Sequence, residues 1–153
     1  MNLLRYSLSL LAAGLAIASV SSRAFGEDEK TVVLTGNDQM KYDVTSFEVN
    51  AGQKVTVTMK NAGMVPKIAM GHNFVLLKPG TNVMAFAAAG AAHSNEGYIA
   101  PDQQDKIIAQ TKLTGPGESD SVTFTAPAAG TYDYLCTFPG HAAAGMRGVM
   151  TVK

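Results

Sequence analysis

The chain has 153 residues, with 12 Lys plus Arg set against 12 Asp plus Glu. That balance leaves no basic footprint for nucleic acid, and the length suits one domain with one core. With one cysteine in the whole sequence, no internal disulfide can form.

The first residues, Met1-Asn-Leu-Leu-Arg5, form a short positive start, and Leu8 to Val20 follow as an apolar run. Small residues then meet an A-x-A-like cleavage rule twice, at Ser22-Arg-Ala24 and at Ala24-Phe-Gly26. This pattern predicts a secretory signal peptide over residues 1–26, too short to span a bilayer, and export to the periplasm. Its removal takes away Arg5 and Arg23 and no acidic residue, so the mature domain, residues 27–153, carries a net charge of about −2. A lone thiol in an oxidising compartment is a hazard unless it is used, and metal ligation would use it.

In the mature chain, Thr31–Thr35 reads as a strand ended by Gly36-Asn-Asp38. Residues 41–49 alternate loosely, with Tyr42, Val44, Phe47 and Val49 on the core side. Gln53–Lys60 alternates cleanly through Val55, Val57 and Met59. Pro66 keeps the next stretch irregular, and Asn73–Leu77 resumes as a strand. Residues 81–92, rich in Ala, Met and Phe behind Thr81 and Asn82, predict one short helix. Gly90–Gly97 is a loop and residues 101–105 a turn, followed by strands over 106–112, 119–125, 131–136 and 147–152. About eight short strands with one helix predict an all-β, Greek-key sandwich or barrel.

The chemistry concentrates near the end of the sequence. Cys136, His141 and Met146 stand five residues apart in one Gly-rich loop between two strands. A thiolate, an imidazole and a thioether together favour copper, and a His₂Cys site with a weak axial Met is the blue-copper set. Of the other two histidines, His93 falls in an Ala/Ser/Asn/Gly loop and should face solvent. His72, at the start of a strand, is the better second imidazole. Met40, Met59, Met64 and Met70 read as core or rim residues. With four side chains filling the coordination sphere, no position is left for a substrate, and the reading is an electron carrier rather than an enzyme. Two rivals are weighed against it. Copper storage or delivery would need an exposed, exchangeable site. A thiol hydrolase would need a nucleophile and base from separated parts of the chain, unlike Cys136 and His141.

Cys136-Thr-Phe-Pro-Gly-His141, Met70-Gly-His-Asn73, Gly36-Asn-Asp-Gln-Met40 and Gln110-Thr-Lys-Leu-Thr-Gly115 resemble the azurins, blue copper proteins of the cupredoxin family. The resemblance covers the mature chain. It implies a cupredoxin-like Greek-key barrel with an external helix and one type 1 copper passing single electrons. It also implies that His72, Cys136 and His141 are trigonal ligands, Met146 the axial one, and the Gly71 carbonyl a distant fifth contact. Asn73 would tie the two ligand loops, and amides near Asn73 and Phe138 would donate to the Cys136 sulfur. Partners would be redox proteins such as a c-type cytochrome or a terminal oxidase or reductase, met by a monomer. They would dock on an apolar patch formed by Val65, Met70, Pro139 and Ala142–Ala144. Two features depart from the azurin pattern. The His-x₄-Met spacing from His141 to Met146 is similar to that of the auracyanins, and the azurin disulfide has no cysteines here.

Overall fold

The computed structural model describes residues 29–153, so the predicted signal peptide lies outside the described residues. Nine strands form: β1 (Lys30–Asn37), β2 (Lys41–Tyr42), β3 (Ser46–Val49), β4 (Lys54–Asn61), β5 (Val75–Leu77), β6 (Ile107–Gln110), β7 (Ser119–Thr125), β8 (Gly130–Leu135) and β9 (Arg147–Val152). They divide into two sheets, ordered β2-β1-β4-β7 and β3-β9-β8-β5-β6. The pairs β1·β4 and β3·β9 are parallel and the remaining pairs antiparallel. The result is a two-sheet cupredoxin-like sandwich rather than a closed barrel.

Alternation fixes which faces meet. Val32 and Leu34 of β1 and Val55, Val57 and Met59 of β4 point inward from the first sheet. They meet Leu76, Tyr134, Met150 and Val152 of the second sheet, with Phe74, Cys136 and Met146 at one end of the same cluster. Each such aliphatic or aromatic side chain contributes about 1.5–3 kcal/mol on burial. All three residues of β5 are buried, because the strand has cover on both faces. Its outer side meets a smaller cluster containing Phe86, Ile99, Leu135 and Ala142. Phe86 comes from α2 (Val83–Gly90), whose first turn is capped by Asn82 accepting from the Ala85 amide at 2.9 Å.

Three expectations change. The predicted strand over 41–49 is two strands, since the chain leaves the first sheet after β2 and enters the second at β3. Asp43 marks the crossover by taking the Thr35 amide with its carboxylate at 2.6 Å. Pro66 does not leave an irregular stretch: its carbonyl accepts from Ala69 and Met70 and starts a single helical turn, α1 (Lys67–Met70). The strand expected from Asn73 begins only at Val75. The backbones of His72 and Thr114 form an isolated bridge, and Asn73 and Phe74 curve between that bridge and the strand. No helix among the described residues is long and apolar enough to cross a membrane.

Candidate metal centre

Cys136 follows β8 directly, and the loop it opens returns at Met146, one residue before β9. The Cys136 amide donates to the Met146 carbonyl at 3.0 Å, so the two ends of the loop are held together. Inside it, the His141 amide donates to Phe138 and the Met146 amide to His141, at 3.0 and 2.9 Å. Gly140 (φ +84°) and Gly145 (φ +100°) make the left-handed turns that a loop this tight requires. Lys41 reaches across from β2 and donates to the Ala144 carbonyl.

His72 arrives from the other side. Its amide donates to Thr114 at 3.0 Å, and its carbonyl accepts from both the amide and the hydroxyl of Thr114, each at 2.7 Å. Asn61, itself buried, donates to the Thr114 carbonyl at 3.0 Å and fixes that bridge to the end of β4. Gly71 is squeezed against Leu113 and the Lys67 carbonyl, where a Cβ would lie 2.7 and 2.9 Å from them. Its own carbonyl oxygen is 3.8 Å from the Cys136 sulfur.

These two segments bring His72, Cys136 and His141 together, with one ligating atom of each within 4.8 Å of the others. Cys136 Sγ is 3.5 Å from His141 Nδ1, and the two imidazole rings are 5.1 Å apart. Met146 closes the cluster beside Gly36. A Cβ on that glycine would lie 2.7 Å from the Met146 Cε and 2.9 Å from the His72 Cδ2. His72, Cys136 and Met146 are fully buried and His141 is 2% exposed. His93, half-buried in its loop, is not part of the cluster.

Burial controls the protonation of the donors. It pushes the Cys136 thiol up to about 12, against the smaller pull of the Asn73 and Phe138 amides on the sulfur. It drives His141 down to about 4, helped by the neighbouring His72. His72 is also lowered by burial, opposed by the Asn37 backbone and the Asp38 charge. Asn37 is near enough to act on the ring, yet both ring nitrogens of His72 lack a hydrogen-bond partner among the described residues. A buried imidazole nitrogen without a partner is costly, at about 1–3 kcal/mol. A cation at the centre of the triangle would use a His72 lone pair and hold Cys136 as thiolate. The donor set therefore fits a soft, late transition metal.

A second layer holds the two segments in register. The Thr137 amide donates to Asn73 Oδ1 at 2.9 Å, and Asn73 Nδ2 donates to Thr137 Oγ1 at 2.8 Å. Tyr42 donates to the Asn73 carbonyl at 2.5 Å. The tie expected at Asn73 is present, and so are the amide contacts to sulfur. Gly36, Asn61, Thr114 and Thr137 escaped the sequence reading. Gly36 alone had left a signal, for it sits on the inward phase of β1 after Val32 and Leu34, where a large residue would be expected. Ala142 corrects the predicted surface patch: it is buried in the cluster that contains Val75 and Phe86. Ala143 and Pro139 are exposed, and nearby in sequence to the half-buried Val65 and Met70 stand Met64 and Ile68, 89% and 86% exposed.

Residues 29–153 match the family of copper-binding proteins described as the plastocyanin/azurin family. Azurin of Pseudomonas aeruginosa is 36% identical over 145 residues, covering 92% of this chain and 97% of that protein. Auracyanin-A of Chloroflexus aurantiacus is 41% identical over 105 residues, covering 68% of this chain and 62% of that protein. Among solved structures, dithionite-reduced auracyanin of Roseiflexus castenholzii superimposes with a TM-score of 0.70 at 41% identity, over 81% of this chain and 97% of its own. The blue copper protein auracyanin A of Chloroflexus aurantiacus gives 0.72 at 36% identity, over 82% and 99%.

Proposed function

The chain belongs to the plastocyanin/azurin family of copper-binding proteins, and from that footing we propose that it is a periplasmic carrier of single electrons. Its azurin and auracyanin relatives mark it as a blue copper electron-transfer protein. In this reading His72, Cys136, His141 and Met146 would hold one type 1 copper, with the Gly71 carbonyl beside them. The observation that carries it is the buried His72 with both ring nitrogens orphaned, facing a thiol and a second imidazole within 4.8 Å.

Bound copper would supply a one-electron couple between its two oxidation states. The chain's residues do the rest. Cys136, cross-bonded to Met146, and His72, clamped by Thr114, sit on backbones tied to their neighbours, which would keep reorganisation between the two states small. Four buried side chains leave no room for a substrate, which supports a carrier rather than an enzyme. Slow exchange of copper follows from the same burial and weighs against a storage role. The exposed Met64, Ile68 and Ala143 support weak, short-lived docking by redox proteins such as a c-type cytochrome or a terminal oxidase or reductase. The charged start, apolar run and small-residue cleavage sites of residues 1–26 support export as a signal peptide. The mature domain, residues 27–153, would then act as a monomer.

The test is the absorption and EPR spectrum of the oxidised, copper-loaded mature protein. An intense thiolate-to-copper(II) band with narrow copper hyperfine splitting is the expected result. A pale spectrum with ordinary splitting would mean that the Cys136 thiolate does not bind the copper and would sink the proposal.

A further inference from the structure

We propose a second electron route, from Tyr98 through the Phe138 ring to His141; it rests on the copper reading above. The Tyr98 and Phe138 rings meet edge to face with centroids 4.8 Å apart, and Phe138 lies 4.6 Å from the His141 ring at 34°. Both separations are those of rings in contact. His141 itself is 2% exposed, so a ring that contacts it through Phe138 and reaches the surface gives a partner a second approach. Tyr98 is half-buried and reaches the surface. The stack thus extends the ligand's π system to solvent.

The backbone is arranged to keep it there. Tyr98 has φ +63°, in the left-handed region that a bulky residue rarely enters. Such strain persists only when the surroundings over-determine it, and it gathers at working sites. Here three neighbours impose it. The Tyr98 amide donates to the His93 carbonyl at 2.8 Å. Gly90 has no Cβ because one would overlap the Tyr98 carbonyl oxygen. The preceding Gly97 carbonyl accepts from the Thr137 hydroxyl at 2.7 Å, and Thr137 also binds Asn73 next to His72. The strained tyrosine is therefore fastened to the same tie that registers the two ligand segments.

The partner this route serves is a one-electron redox protein docked over Tyr98. In each transfer one electron passes between the partner and the copper, so that what one loses the other gains. No bond forms or breaks, and the Tyr98 hydroxyl keeps its proton, since the ring and not the oxygen provides the overlap.

The experiment places a ruthenium polypyridyl photosensitiser on Glu96→Cys, in the exposed turn two residues before Tyr98, in the copper-loaded protein. The rate at which the photo-oxidised label draws an electron from the reduced protein is then measured. Tyr98→Leu should lose most of that rate, and Tyr98→Phe should keep it. An unchanged rate in Tyr98→Leu, or an equal loss in Tyr98→Phe, would overturn the route. The absorption band should be unchanged in Tyr98→Leu, because Tyr98 stacks on Phe138 and not on a ligand ring; a bleached band would make Tyr98 a packing residue and end the proposal. A readout without copper is the NMR shift of the Phe138 ring protons in the apoprotein. It should move on Tyr98→Leu, and an unmoved shift would mean that the stack does not form. If the wild-type protein shows no thiolate band, the copper reading itself has failed; a normal band with indifferent rates rejects only the route.

Discussion

Gly36 shows how a side chain can matter by being absent. Along β1 the inward positions run Val32, Leu34, Gly36, and the last of these faces the Met146 and Met59 methyls and the His72 ring edge. Gly36→Ala should force the Met146 thioether off its position and destabilise the fold by about 1–3 kcal/mol, the usual size of overpacking. The visible spectrum and EPR rhombicity of the copper form read the first effect, and urea unfolding the second; an unchanged spectrum would show that Met146 is not set by this contact. Protonation is a second property fixed by single residues. His141 titrates near 4 in the folded apoprotein and near its ordinary value when unfolded. The unfolded state therefore binds more protons over that interval, so stability is present above the unfolded value and lost as pH falls through the folded one. The apoprotein melting temperature should drop between pH 7 and 4, and His141→Asn should flatten that slope. The four candidate donor side chains were legible because soft sulfur and imidazole are rare and the loop that carries three of them is short. Thr114 and Asn61 were not, since their work is hydrogen bonding between segments 42 and 53 residues apart.

At the scale of elements, the metal centre is a junction between two segments, one after α1 and one after β8. Asn73 and Thr137 are the rivet, exchanging an amide and a hydroxyl across 64 residues of sequence. Asn73→Ala leaves the buried Thr137 amide without its acceptor, a loss of about 1–3 kcal/mol. Thr137→Val removes the other half, and the double variant should cost clearly less than the two single losses added. Strict additivity in apoprotein unfolding would mean that the two residues act separately. Strands with clean alternation, β4 above all, were legible because one face is buried and the other wet. The break between β2 and β3 was hidden because the chain changes sheets without changing its period. The α1 turn was hidden behind Pro66, whose ring forbids a helix before it but whose carbonyl can still begin one. The loop after Gly90 carries Tyr98 in a conformation that no propensity favours, so only tertiary contacts could have disclosed it.

For the whole molecule, the proposed docking surface is the part least written in local sequence. Three alanines after His141 suggested a continuous patch, but Ala142 is buried in the smaller core cluster, while Met64 and Ile68 are exposed. Ala143→Glu should slow electron exchange with a redox partner and leave the copper spectrum alone, as should Ile68→Asp. Unchanged exchange rates in stopped-flow mixing would move docking elsewhere on the surface. The sheet order has a consequence of another kind. Strand β9 lies between β3 and β8 in the second sheet, yet it follows every other described element in sequence. During synthesis the second sheet stays split, with β3 waiting for a neighbour, until Arg147–Val152 have been made. Cys136, His141 and Met146 emerge just before that strand, so the loop that carries them stays open at one end until β9 pairs with β8. Such a protein remains threadable until Arg147–Val152 have been made.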